Sequence, residues 1–124
     1  MTLSRQIWLQ YIPAVLVTAG IVVVSLIESP YVPQALSTKD KVLHGAMYAL
    51  LAITWIVPLV HRFPLRIAPY VYVWIGVVLF GIVMEVLQRF CTLTRSGELA
   101  DVYADGIGAI VGLAFVALWQ LAKK

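Results

Sequence analysis

The chain has 124 residues, of which 62% are hydrophobic and 12% charged, and its formal net charge is +3. Soluble domains carry roughly 25% charged residues, so this composition, with a mean hydropathy of +0.94, excludes a soluble globular protein and describes a membrane protein with room for one domain, residues 1–124. The basic residues are divided between two sets of segment ends, which leaves no basic face for nucleic acid and excludes it as a partner.

A hydrocarbon core about 30 Å thick is crossed by about 20 helical residues. Four apolar windows meet or approach that length, and the sequence predicts an all-α membrane protein, a four-transmembrane-helix bundle with helices over residues 7–27, 42–60, 68–87 and 102–122. The first window follows a short head containing Arg5. Its apolar stretch is too long for a signal-peptide core and no small-x-small site follows it, so it is read as an anchor. The second window is interrupted near its end by Pro58, and the third begins just after Pro64 and Pro69. Residues 61–67 are therefore expected to form a tight polar turn between antiparallel neighbours. The connections at residues 28–41 and 88–101 are longer and carry Ser29-Pro30, Pro33 and Gly97. Irregular loops on one shared membrane face are expected there.

Lys and Arg near the helix ends divide five against four: Arg5, Arg62, Arg66, Lys123 and Lys124 on one face, Lys39, Lys41, Arg89 and Arg95 on the other. The positive-inside rule then predicts both termini in the cytoplasm. All the acids, Glu28, Asp40, Glu85, Glu98, Asp101 and Asp105, fall at or near the second face. Anionic lipid headgroups are the expected partners of the inner basic residues.

Polar chemistry is concentrated where the apolar segments end. Lys41, His44 and Tyr48 form one stripe entering the second helix, Glu85 and Gln88 another leaving the third, and Asp101 and Asp105 a third stripe entering the fourth, because residues three and four apart share a helix face. Arg95 and Glu98 stand on the loop between. Ionisable groups at membrane depth are costly and are retained when they face a bundle interior, a partner or a ligand. Antiparallel packing brings the three stripes to one depth, where they can converge on one polar pocket.

The order and spacing of Lys41, His44, Tyr48, Glu85, Gln88, Arg95, Glu98, Asp101, Gly108 and Gly112 resembles the VanZ-like integral membrane proteins, and the likeness covers residues 40–112. The family often has Asn where this chain has Asp105. The resemblance implies a small multi-span protein of the bacterial cytoplasmic (inner) membrane, with an eponymous member associated with resistance to the glycopeptide teicoplanin. It implies no particular reaction.

In chemical terms, His44, Glu85 and Asp101 are the candidates for catalysis by proton transfer. Lys41, Tyr48, Gln88, Arg95, Glu98 and Asp105 are candidates for ligand binding, with Arg95 and Lys41 shaped to meet a phosphate. A cluster at headgroup level suggests a phospholipid or polyprenyl-phosphate-linked ligand. A purely structural network is the competing reading, in which Arg95 pairs with Glu98 or Asp101 and Lys41 with Glu85. Tyr48 also suits an interface anchor. No His-x-x-x-His, Glu-x-x-His or Cys pair is present, so neither a metal nor a cofactor is expected. His61 lies in the opposite turn, outside the cluster.

The remaining features read as structural. Ala104, Gly108 and Gly112 lay small residues along one face of the last helix, for close packing within the protomer or in a homo-oligomer. Trp8, Trp55, Trp74 and Trp119 lie toward the expected cytoplasmic ends, where tryptophan belts form. The sole cysteine, Cys91, has no internal disulfide partner and is expected in an outward loop. Three function classes follow. They are a pocket that binds or processes a cell-envelope compound, a non-catalytic scaffold or assembly subunit, and a small proton-coupled transporter. Thr18, Thr54 and Ser25 are the few polar residues deeper in the bilayer for the transporter.

Overall fold

The computed structural model describes residues 2–27, 41–64, 66–93 and 99–124. Among them the chain forms α1 (Leu3–Leu9), α2 (Ile12–Leu26), α3 (Lys41–Arg62), α4 (Ala68–Cys91) and α5 (Leu99–Ala122). Helices α1 and α2 together make one candidate span, Leu3–Leu26, and each of the other three makes another. The bundle therefore has four helices long and apolar enough to cross a membrane, with boundaries a few residues wider than the sequence suggested.

Two prolines account for the main departures. The first window was expected to be one helix, yet it breaks at Gln10 and Tyr11. Pro13 is the second residue of α2 and has no N–H for the Leu9 carbonyl. The chain tightens there instead, the Gln10 and Tyr11 amides donating to the Ile7 and Trp8 carbonyls at 3.3 and 3.1 Å. Pro58 was expected to interrupt the second window, but α3 continues through it to Arg62. Proline is tolerated inside a membrane helix because neighbouring helices, hydroxyl side chains and local adjustment of the backbone satisfy the carbonyl it leaves free. Pro69, by contrast, falls in the first turn of α4, where a missing donor costs nothing.

One stripe on each long helix faces inward at a spacing of three or four residues. On α3 it runs through His44, Tyr48, Ala52, Ile56 and Val60, on α4 through Val73, Val77, Gly81, Glu85 and Gln88, and on α5 through Asp101, Asp105, Ala109, Leu113 and Val116, all buried. The stripe is apolar at one end of the bundle and polar at the other. Its apolar part, with Ile21 of α2, is the core.

Helices α3 and α5 form the most extensive pair, and the reason is the absence of side chains between them. A methyl group at Gly108 would strike the Gly45 backbone, with the Gly45 Cα at 2.6 Å, and one at Gly112 would stand 3.0 Å from the Ala49 Cα. Of the two uses open to the small-residue face of α5, this structure therefore employs the intramolecular one. Such backbone approach is what joins helices in lipid, where apolar burial offers no driving force.

The tryptophans are not simply a belt. Trp8 is 74% exposed and Trp119 40% exposed, with the Lys123 ammonium 4.0 Å from the Trp119 ring centroid. Trp55 donates its indole N–H to Thr18 Oγ1 at 3.0 Å, and Trp74 donates to the Gly106 carbonyl at 3.1 Å. A half-buried indole needs an acceptor, and these two link α3 to α2 and α4 to α5.

Candidate functional site

Where the inward stripes turn polar, α3, α4 and α5 bring His44, Tyr48, Glu85, Gln88, Asp101 and Asp105 together, each less than one-tenth exposed. Each group arrives by helix periodicity. His44 and Tyr48 are one turn apart on α3, Glu85 and Gln88 nearly one turn apart on α4, and Asp101 and Asp105 one turn apart in the first part of α5.

Two polar links cross from α3 to α5. Lys41 Nζ donates to Asp101 Oδ1 in an ion pair at the rim. Deeper in, His44 Nδ1 and Asp105 Oδ1 lie 2.9 Å apart, both side chains almost wholly buried. Asp101 lies in the first turn of α5, where the exposed amides of a helix N-terminus favour a carboxylate. Glu85 closes the group from α4. His44, Glu85 and Asp105 each present one potential ligand atom, and these three atoms lie within 4.8 Å of one another. Among the described residues, three buried side-chain atoms here have no hydrogen-bond partner: His44 Nε2, Gln88 Oε1 and Asp105 Oδ2.

Tyr48 does not stand at the membrane interface as an anchor. It is 1% exposed, its ring parallel to the His44 imidazole with centroids 6.2 Å apart, and Phe80 packs on it at 6.0 Å. The reason is position on α3: Tyr48 falls on the buried stripe, between His44 and Ala52. Gln88 is also tied into the bundle, its Nε2 donating to the Ser25 backbone carbonyl at 2.9 Å. That bond brings α2 against the cluster. Gln88→Leu should therefore loosen α2 by about 1 kcal/mol, the net value of one buried hydrogen bond. Hydrogen exchange should quicken in α2 and stay unchanged in α5; equal rates in the variant and the parent would refute the link.

Some site residues were not visible in the sequence. Gly81 is one turn before Glu85, and a methyl group there would lie 2.8 Å from Asp105 Oδ2 and 3.4 Å from Tyr48 Cε1. Its lack of a side chain makes the space that Asp105 occupies. The available signal was that Gly81 and Glu85 share a helix face. Of the candidates named from sequence, Arg95 and Glu98 lie outside the described residues. Cys91, expected in a loop, is the last residue of α4 and is exposed.

A groove of about 390 Å³ lies beside the cluster, lined by Thr18, Leu51, Trp55, Gly76, Val77 and Phe80 among others, nearly all of its surface apolar. Phe80 joins it to the polar group, since the same ring lines the groove and packs on Tyr48. Gly76 faces open space, with nothing within 4 Å of a methyl group placed on it.

Comparison with protein-family models, with curated proteins and with solved structures finds no match to this chain.

Proposed function

We propose that this chain is a VanZ-like multi-pass protein of the bacterial inner membrane, with both termini cytoplasmic, and that its polar cluster at the extracytoplasmic face binds or processes a lipid-linked or phosphorylated cell-envelope compound. A link to glycopeptide resistance would follow from that substrate class. The observation that carries the reading is the adjacency of an apolar groove and a polar cluster, with the Phe80 ring lining the groove on one side and packing on Tyr48, and through it toward His44, on the other. An amphiphile with a long apolar chain and a polar head needs these two environments side by side. The Lys41 side chain, 41% exposed beside the buried Asp101, supplies a cation at the polar end of the bundle, where a phosphate would be met.

Gly76 gives a test within the groove. Gly76→Leu adds a side chain to its lining at a position where the first carbon meets nothing within 4 Å. The full chain in detergent, incubated with a polyprenyl phosphate and examined by native mass spectrometry, should retain the lipid as wild type and lose at least about tenfold in affinity as Gly76→Leu, the equivalent of 1.4 kcal/mol. Equal retention would sink the groove as the site of the chain.

Orientation is tested through the exposed Cys91. A membrane-impermeant thiol reagent should label it in intact cells, and a cysteine moved to position 61 should stay unlabelled. The reverse pattern would redirect the search to cytoplasmic ligands.

A second reading has its own support. Both Lys41–Asp101 and His44–Asp105 join α3 to α5, as expected of a network that serves a non-catalytic scaffold. In a scaffold, Gly76→Leu would leave function intact.

A further inference from the structure

We infer that His44, Glu85 and Asp105 form a binding site for one divalent transition-metal ion at the junction of α3, α4 and α5. The sequence argued against a metal because no segment carries a ligand pair at the usual spacing. Here each helix contributes one ligand, so spacing along a single helix carries no signal.

Three observations support the site. One ligand atom from each side chain falls within 4.8 Å of the other two. Ligands around a cation at about 2.0–2.2 Å are separated by about 3.0 Å when adjacent and up to about 4.3 Å when opposed. His44 Nδ1 and Asp105 Oδ1, hydrogen-bonded at 2.9 Å, have the adjacent separation, and an ion would take the place of the proton they share, which metal binding releases. The second observation is the buried Asp105 Oδ2, which has no hydrogen-bond partner among the described residues and stands on the α4 side, next to Gly81. Glu85 is one turn further along that helix. Leaving such an atom unsatisfied is costly, and a cation would satisfy it.

The third is the donor set itself, all of it less than one-tenth exposed. One imidazole with two carboxylates suits zinc, manganese or iron rather than a soft thiophilic ion. Three protein ligands also leave a position for water or an anionic oxygen. The inference does not rest on the lipid reading, since an ion can be held whatever occupies the groove.

Cobalt(II) is the probe, added to the purified full chain in detergent after chelator treatment. One equivalent should bind, raise the melting temperature, produce visible d–d absorption and give a hyperfine-shifted imidazole N–H resonance. The chain has two histidines, and His61 is exposed at the far end of α3, so His61→Gln should keep every signal and assign the imidazole to His44. Losing a group that merely supports a ligand already costs about 10–100-fold in metal affinity, so Glu85→Gln should weaken binding by at least about 100-fold. Should Glu85→Gln fail to fold, the wild-type and His61→Gln spectra decide. Absence of one-equivalent binding, undiminished binding by a folded Glu85→Gln, or loss of the imidazole signal in His61→Gln would each overturn the site.

Discussion

Gly108→Ala should destabilise the folded bundle by about 2 kcal/mol. The new methyl group would strike the Gly45 backbone, with the Gly45 Cα at 2.6 Å. Backbone cannot rotate away as the tip of a side chain can, so α3 and α5 must separate along their shared face. Overpacking of this kind costs about 3 kcal/mol at its upper range. Alanine in place of a helical glycine returns about 1 kcal/mol. Gly76→Ala is the matched control, because it gains the same propensity term and meets nothing within 4 Å. Equilibrium unfolding in mixed detergent should place the first variant below wild type and the second level with it or above. If both variants behaved alike, the close crossing of α3 and α5 would not be what holds the bundle.

The second large effect is expected at Asp105, which is fully buried and linked to His44 across the same helix pair. Removing one partner of a buried polar pair leaves the other without compensation. The cost is about 1–3 kcal/mol for a neutral group and about 3–5 kcal/mol for a charged one. Interhelical hydrogen bonds in membranes average only about 0.6 kcal/mol, because separated helices find substitutes in the bilayer. A carboxylate has fewer such substitutes than a hydroxyl, so Asp105→Ala is expected to lose about 2 kcal/mol. The double variant His44→Leu with Asp105→Leu should be more stable than the sum of the two single leucine variants implies, since no orphaned partner remains. Additive losses in that cycle would mean that the two side chains are neighbours without being coupled.

These two sites separate what belongs to the fold from what belongs to the chemistry. Gly108 and Gly112 lie on the same face of α5 as Asp105 and Asp101, and they bring α3 close enough for His44 and Lys41 to reach those carboxylates. Packing of the small residues thus sets the geometry of the polar group. Variants of Gly108 should disturb the site indirectly, whereas Glu85→Gln should disturb it with little change in helix packing.

The helical class, the four spans and the inward stripes were legible in the chain, because hydropathy and a spacing of three to four residues are local properties. So was the gathering of Lys41, His44, Tyr48, Glu85, Gln88, Asp101 and Asp105 at one end, since antiparallel helices of similar length must bring those ends together. Continuation of α3 through Pro58 was not legible, because it depends on what the folded bundle offers the carbonyl that proline leaves free. The burial of Tyr48 depends on which face α4 and α5 cover, and the bond from Gln88 to Ser25 joins residues 63 positions apart.

By itself the sequence determined that this chain lives in a membrane, how many times it can cross, and which side chains are expensive enough there to need a purpose. The tertiary structure alone decided the pairings, Lys41 with Asp101 and His44 with Asp105, and the meeting of His44, Glu85 and Asp105 from three helices. The physical reason is that helix periodicity assigns a residue to a face, while the rotation and separation of neighbouring helices, set here by Gly45, Gly81, Gly108 and Gly112, select the atoms that meet across it.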